Sequence, residues 1–144
     1  MKICIFTHTF PRFPGDTATP FMGNLARALG NTGHEVFILT PYDPLMQVRQ
    51  KEPFKIINYK YIFPDSLHIL GYSRTFSEGK GLSLITYFLS PFLYFFGFIA
   101  LYRLVKAEKI NIINAHWLIP SGFISGILKF LTKASLVVSI PGAG

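Results

Sequence analysis

A chain of 144 residues has the length of one domain and can bury roughly two-thirds of the surface its unfolded form would expose. Half of its residues are hydrophobic and only 15% are charged, which excludes a disordered segment and a polar linker. Fourteen Lys and Arg against seven acids leave a formal net charge of +7, which suits an anionic partner such as nucleic acid, acidic lipid or a phosphorylated ligand.

Residues 2–7, KICIFT, are a β-branched and aromatic run that predicts a buried strand. Cys4 within it is the only cysteine, so no intramolecular disulfide forms; the residue reads as a small buried hydrophobe in a chain suited to a reducing compartment. The opening apolar run stops at Thr7 and His8, too soon for the apolar core of a signal peptide. After the turn-forming HTFPRFPGDTAT, the stretch PFMGNLARALG sets Phe21, Leu25 and Leu29, with Met22 and Ala26, at helical spacing. Thr19 is its expected N-cap, Pro20 its first residue, and Gly30 or Gly33 its close. EVFILT follows as a second strand, and a strand-helix-strand unit implies a parallel sheet.

FKIINYKYIF is strand-like and supplies a third strand, while residues 65–80 are polar and predict no regular element. LSLITYFLSPFLYFFGFIALYRLVKAEK is helical in character, with a kink expected at Pro91, and INIINA is a fourth strand. A helix over residues 121–132 carries Phe123, Ile127 and Leu131 in register, with Ile124 and Leu128 beside them. SLVVSI is a fifth strand, before PGAG. The fold class is therefore α/β, an open parallel sheet with flanking helices that is cut short. Ligands of such sheets bind outside the carboxyl ends of the strands, where connections diverge to opposite faces. With strand order 3-2-1-4-5, Thr7 and His8 end one wall of that crevice and His116 and Trp117 end the other.

The loop PRFPGDTATP leads into a helix N-terminus, whose free N–H groups and dipole favour a phosphate; Gly15 lets the backbone come close, and Thr17 or Thr19 adds a hydroxyl. It is neither a G-x-G-x-x-G fingerprint nor a P-loop, and a plain surface connection fits the bare pattern as well. Asp43, shortly after the second strand, resembles either the acid that holds a ribose or ordinary turn chemistry. His116 stands at a strand end where imidazole can donate, accept or act as a base; the alternative is a ring satisfied by a backbone carbonyl. Trp117 reads as packing, His34 as structural. His8 and His116 could face each other, but two histidines without a third ligand do not make a metal site.

Residues 81–102 form an uncharged stretch of about 22, long enough to span a bilayer. A single crossing would separate the first three strands from the last two, which could not then share a sheet. The stretch is expected instead to lie partly buried on the sheet, its outer side in the lipid interface or, alternatively, covered by protein. Arg103, Lys106 and Lys109 follow at three-residue steps as a basic edge suited to anionic headgroups.

FPRFPGDTATPFMGNLARALGNTGHEVFILTP together with INIINAHWLIPSG resembles the N-terminal half of GT-B glycosyltransferases of the family 4 type. The resemblance implies a Rossmann-like, acceptor-side domain of a retaining, metal-independent enzyme. It takes sugar from a nucleotide-sugar co-substrate, UDP- or GDP-linked, needs no cofactor, and passes the sugar to a polysaccharide or lipid-linked acceptor. It further implies that Gly15, Asp16 and Thr17 form the diphosphate and acceptor loop, that His116 is catalytic, and that His8, Trp117 and Gly142 line the cleft. An anionic membrane surface, not nucleic acid, is the expected partner, and the expected location is cytoplasmic, peripheral on the inner face of the membrane. The sequence departs from the family pattern in PGDT for a paired glycine, in Asn114 for the first histidine of an H-x-H, and in Pro141 before Gly142. The donor-binding half is absent from these 144 residues, so the chain alone is expected to be inactive. Two other readings are a non-catalytic interaction module that keeps membrane affinity, and a dinucleotide-dependent oxidoreductase, disfavoured by the missing glycine fingerprint.

Overall fold

The computed structural model describes residues 1–47, 51–70 and 84–141. Along the chain run β1 (Lys2–Phe6), α1 (Pro20–Asn31), β2 (Glu35–Pro41), β3 (Phe54–Tyr59) and a short 3-10 turn at Asp65–Leu67. Then come α2 (Leu84–Glu108), β4 (Ile112–His116), a wide irregular turn at Leu118–Gly122, α3 (Phe123–Lys129) and β5 (Ser135–Ser139). The strands are all parallel in the order β3-β2-β1-β4-β5, the order expected, and the fold is a Rossmann-like α/β sheet with flanking helices. β1 lies at its centre, with Phe6 opposite Leu39 on one side and Ala115 on the other.

Buried on both faces, β1 and β2 need apolar residues at nearly every position. Ile5 and Ile38 join Phe10, Met22 and Ala26 in the core beneath α1. Cys4, Phe6, Phe37 and Leu39 face the other way, into a larger core completed by Leu89, Leu93 and Leu101 of α2 and Ile124 and Leu128 of α3. Each such Leu, Ile or Phe contributes about 1.5–3 kcal/mol by leaving water.

Two helices choose a different column from the one their largest residues suggest. In α1 the buried positions are Met22, Gly23 and Ala26, while Phe21 is exposed; in α3 they are Ile124, Ser125 and Leu128, while Phe123 and Ile127 face outward. Adjacent apolar columns satisfy the helical period equally well, and the column with smaller side chains lets the helix axis come closer to the sheet. Gly30 shows the same closeness: a Cβ there would overlap the Pro53 carbonyl oxygen and stand 2.8 Å from Pro53 Cβ. It therefore belongs to the packing of α1, and Gly33, at φ +88, makes the turn that follows.

Thr19 precedes α1 as expected, but in a left-handed conformation (φ 47, ψ 56) with no side-chain capping bond. An extended N-cap aims its oxygen at the first turn, which this backbone does not. The Thr19 hydroxyl instead donates to the Thr9 carbonyl at 3.4 Å, tying the loop to the helix. Residue 20, proline, has no N–H to leave unsatisfied.

The third strand ends at Tyr59, short of the expected residue 63; the fourth extends to His116, one residue further than expected. The expectation of no regular element over 65–80 meets one short turn at Asp65–Leu67, and residues 71–80 lie outside the described ones. α2 continues through Pro91, with the Ser90 hydroxyl donating to the Thr86 carbonyl at 2.7 Å. By length and composition it is apolar enough to cross a membrane, but the strands on either side of it pair directly, β1 with β4, so both its ends belong to one sheet. It lies along that sheet. At Gly97 its backbone comes so close that a Cβ would stand 3.0 Å from the Tyr59 hydroxyl oxygen.

Candidate functional site

Because all five strands are parallel, their carboxyl ends share one edge of the sheet. The chain leaves β1 through α1 on one face and leaves β4 through α3 on the other, so the divergence falls between β1 and β4.

His116 is the last residue of β4, opposite Ser139 of β5. Its ring is 4% exposed and lies beside Phe21 of α1, centroids 6.2 Å apart. Neither ring nitrogen has a hydrogen-bond partner, so the backbone carbonyl that would make this a merely structural histidine is not there. Burial lowers its pKa and keeps the ring neutral. His8, just beyond β1, takes a different neighbour, Trp117, at 6.1 Å. Its Nδ1 is buried and unpartnered, and burial pushes its pKa down to about 4. Trp117 adopts φ 72; its backbone N–H donates to the Ser139 carbonyl at 2.9 Å, while its indole N–H is buried without a partner.

Ser121 and Ser125 add two buried hydroxyls without partners. Among the described residues, buried unpartnered side-chain polar atoms belong to these five residues and to His68, so that, His68 aside, they gather after the ends of β1 and β4. Buried polar atoms left without protein partners are uncommon, and each calls for a water, an ion, a ligand or a functional role to account for it. The serines were not singled out from the sequence; their four-residue spacing on an otherwise apolar helical start is the signal they left.

The loop after β1 is held from within. Asp16 accepts from the backbone N–H of Arg12 at 2.9 Å, from Arg12 Nε at 2.7 Å and Nη2 at 3.4 Å, and from the backbone N–H of Ala18 at 3.0 Å. Burial works to raise its pKa, but the hydrogen bonds and charge of Arg12 and the Ala18 N–H outweigh it and hold the carboxyl at about 2. Arg12 also reaches Asp43, at 3.8 Å, and Asp43 accepts from the Leu45 N–H at 2.8 Å, the turn chemistry that was one of its two readings. Gly15 is exposed at φ +87 with open space where a Cβ would stand, so its backbone angle, not crowding, calls for glycine. Gly15, Asp16 and Thr17 line one open groove of about 390 Å³ with Gly23, Asn24 and Arg27 of α1.

The structure thus brings Gly15, Asp16 and Thr17 together beside α1, with His116 under the first turn of that helix. His34 sits in the turn before β2, its N–H donating to the Leu29 carbonyl at 3.3 Å. Arg103, Lys106 and Lys109 are elsewhere, close to the amino end of β4 and so at the opposite edge of the sheet. Gly142 lies outside the described residues. Among the described residues no three His, Cys, Asp or Glu side chains gather as a metal-holding group.

The strand order and the divergence at β1 and β4 define a Rossmann-like domain with its crevice at the switch point. Among solved structures, a glycosyltransferase from Rickettsia africae ESF-5 is similar in fold, with a TM-score of 0.52 and 15% identity over 94% of this chain. The chain spans 28% of that protein's length. No family model and no curated protein matches the chain.

Proposed function

We propose that this chain is the acceptor-side part of a retaining glycosyltransferase. It moves a sugar from a UDP- or GDP-sugar to a polysaccharide or lipid-linked acceptor on the cytoplasmic face of a membrane. The observation that supports it most is His116: a neutral, buried imidazole with both nitrogens unpartnered, at the switch point of the sheet and beneath the first turn of α1. Leaving such atoms unpaired costs roughly 1–3 kcal/mol, a cost that a substrate hydroxyl in hydrogen-bond reach would offset. In transfer, the bond from the anomeric carbon to the donor diphosphate breaks, the acceptor oxygen bonds to that carbon on the same face, and the acceptor proton passes to the departing diphosphate oxygen. His116 orients that hydroxyl or hydrogen-bonds the sugar as positive charge develops on it. The Gly15 loop and the start of α1 offer backbone N–H groups and a helix dipole to the diphosphate, with Asp16 neutralised by Arg12. Stabilising the leaving diphosphate is the task of a further nucleotide-binding domain, so these 144 residues alone release no sugar.

The test joins the chain to a nucleotide-sugar-binding domain and measures turnover and melting temperature on the same preparation. His116→Ala is expected to lower kcat about 10²- to 10⁴-fold while the protein still melts cooperatively near the parent temperature. A destabilised variant with undiminished turnover would return His116 to a structural role and remove the main support for the reading.

A further inference from the structure

We propose that the outer face of α2 and the groove at its carboxyl end form a docking surface for a bilayer carrying anionic phospholipid headgroups. The charges of the chain divide unevenly. Lys2 is tied to Glu35 and Glu108, Arg12 to Asp16, Arg27 to Glu52, Lys55 to Glu35 and Lys60 to Asp65. Residues 84–141 hold five basic side chains, Arg103, Lys106, Lys109, Lys129 and Lys133, and a single acid, Glu108, which is already engaged by Lys2. Among the described residues none of the five has a carboxylate partner.

Three of them converge. Lys106, Lys109 and Lys133 line a groove of about 570 Å³ between the end of α2 and the segment joining α3 to β5, with Asn111 as a further donor and Phe130, 89% exposed, at its lip. Lys109 holds a left-handed backbone (φ 55) at the end of α2, the position that glycine fills with least strain, so a lysine stands there against its conformational preference. Ammonium and amide donors around one groove suit the oxygens of a phosphodiester.

The groove continues an apolar line. Phe88, Phe92, Phe95 and Tyr102 are exposed on α2 at steps that keep them on one side of the helix, and Lys106 falls on the same line. From Phe88 to Lys106 this line is roughly 27 Å long at 1.5 Å per residue. Aromatic rings lying in the interface, with lysines at one end among headgroups, are what an in-plane helix presents to a membrane. Nucleic acid would find no charge along most of that length, and a second copy laid on the aromatic line would bring no anion to the lysines at its end. The surface stands on its own residues and does not depend on sugar transfer.

Co-sedimentation of the chain with phosphatidylcholine vesicles, with and without phosphatidylglycerol, tests it. Binding is expected only with the anionic lipid and is expected to weaken with salt. Replacing Lys106, Lys109 and Lys133 together by Gln should lower partitioning on the order of 100-fold, about fivefold per charge. Phe88→Ser with Phe95→Ser should lower it about tenfold or more, since both rings leave the interface. Lys55→Gln with Lys60→Gln removes charges already tied to carboxylates and should change binding less than about twofold; circular dichroism confirms that each variant is folded. Equal binding to both vesicle types, an equal loss from the Lys55 and Lys60 pair, or no vesicle binding at all would overturn the proposal. So would displacement by inorganic phosphate beyond that of chloride at matched ionic strength, which assigns the groove to a soluble anion. Self-association abolished by Phe88→Ser would assign the face to a second copy and likewise overturn it.

Discussion

Asp16→Asn separates an internal tie from a ligand contact in the loop after β1. The substitution keeps the shape of the side chain and removes its charge, which in the native loop meets Arg12 and two backbone N–H groups with only 4% of the side chain exposed. A carboxyl moved from 3.8 to about 2 stabilises the folded chain by about 2 kcal/mol when ionised. The folded value lies below the unfolded one, so this stability is complete above pH 4 and is lost as pH falls through about 2. At neutral pH, Asp16→Asn is therefore expected to lower stability by about 2 kcal/mol, or the melting temperature by about 6–8 °C in a chain of this size. Urea titrations followed by circular dichroism at neutral pH, at pH 3 and at pH 2 supply the check: the gap between variant and parent should narrow steadily with acid. A gap that ignores pH, or no loss at neutral pH, would refute the reasoning. A carboxylate facing a diphosphate would behave otherwise, the variant binding nucleotide more tightly at unchanged stability.

Gly30→Ala should destabilise by about 1–3 kcal/mol because its methyl group meets Pro53, whereas Gly23→Ala, with Arg27 Nη1 at 3.6 Å from the new carbon as its nearest contact, should be neutral or stabilising. Equal thermal shifts in the two variants would contradict the packing assigned to α1. His8 and His116 both have folded pKa values lowered by burial, so both contribute stability above about 6.5 that is lost with acid, for His8 as pH falls towards about 4. In an NMR titration the His8 ring should remain neutral at pH 5; protonation near its ordinary value would show that it is solvated.

The order of the strands and the position of His116 were legible because they follow from patterns with few alternatives: short β-branched runs, turn residues between them, and a strand ending in a histidine. What escaped was set by three-dimensional contact. The buried columns of α1 and α3 depend on how closely a helix can approach the sheet, which periodicity does not encode, so Phe21 and Phe123 read as core and face outward. Asp16 looked like a loop residue available to a ligand; only the folded loop shows that Arg12 and Ala18 occupy it. Arg103, Lys106 and Lys109 were visible as a basic edge. Lys133, more than twenty residues further on, joins that edge only because α3 returns the chain to the end of α2.

The central place of β1 governs the order in which the chain can be assembled. Its partner β2 follows within forty residues, but its other partner, β4, begins at Ile112. A ribosome adding about 5–20 residues each second needs roughly 3–11 s to pass from the end of β3 to the end of β4. Throughout that interval one edge of β1 stays open, a template for mispairing, while α2, long and apolar enough to cross a membrane, emerges with no complete sheet to lie on. Closing the sheet then requires a parallel pairing across more than a hundred residues, the slowest kind of contact to form. The amount of folded protein a cell obtains should therefore depend on chaperone cover and the pace of translation over residues 60–116, more than on the stability of the finished sheet.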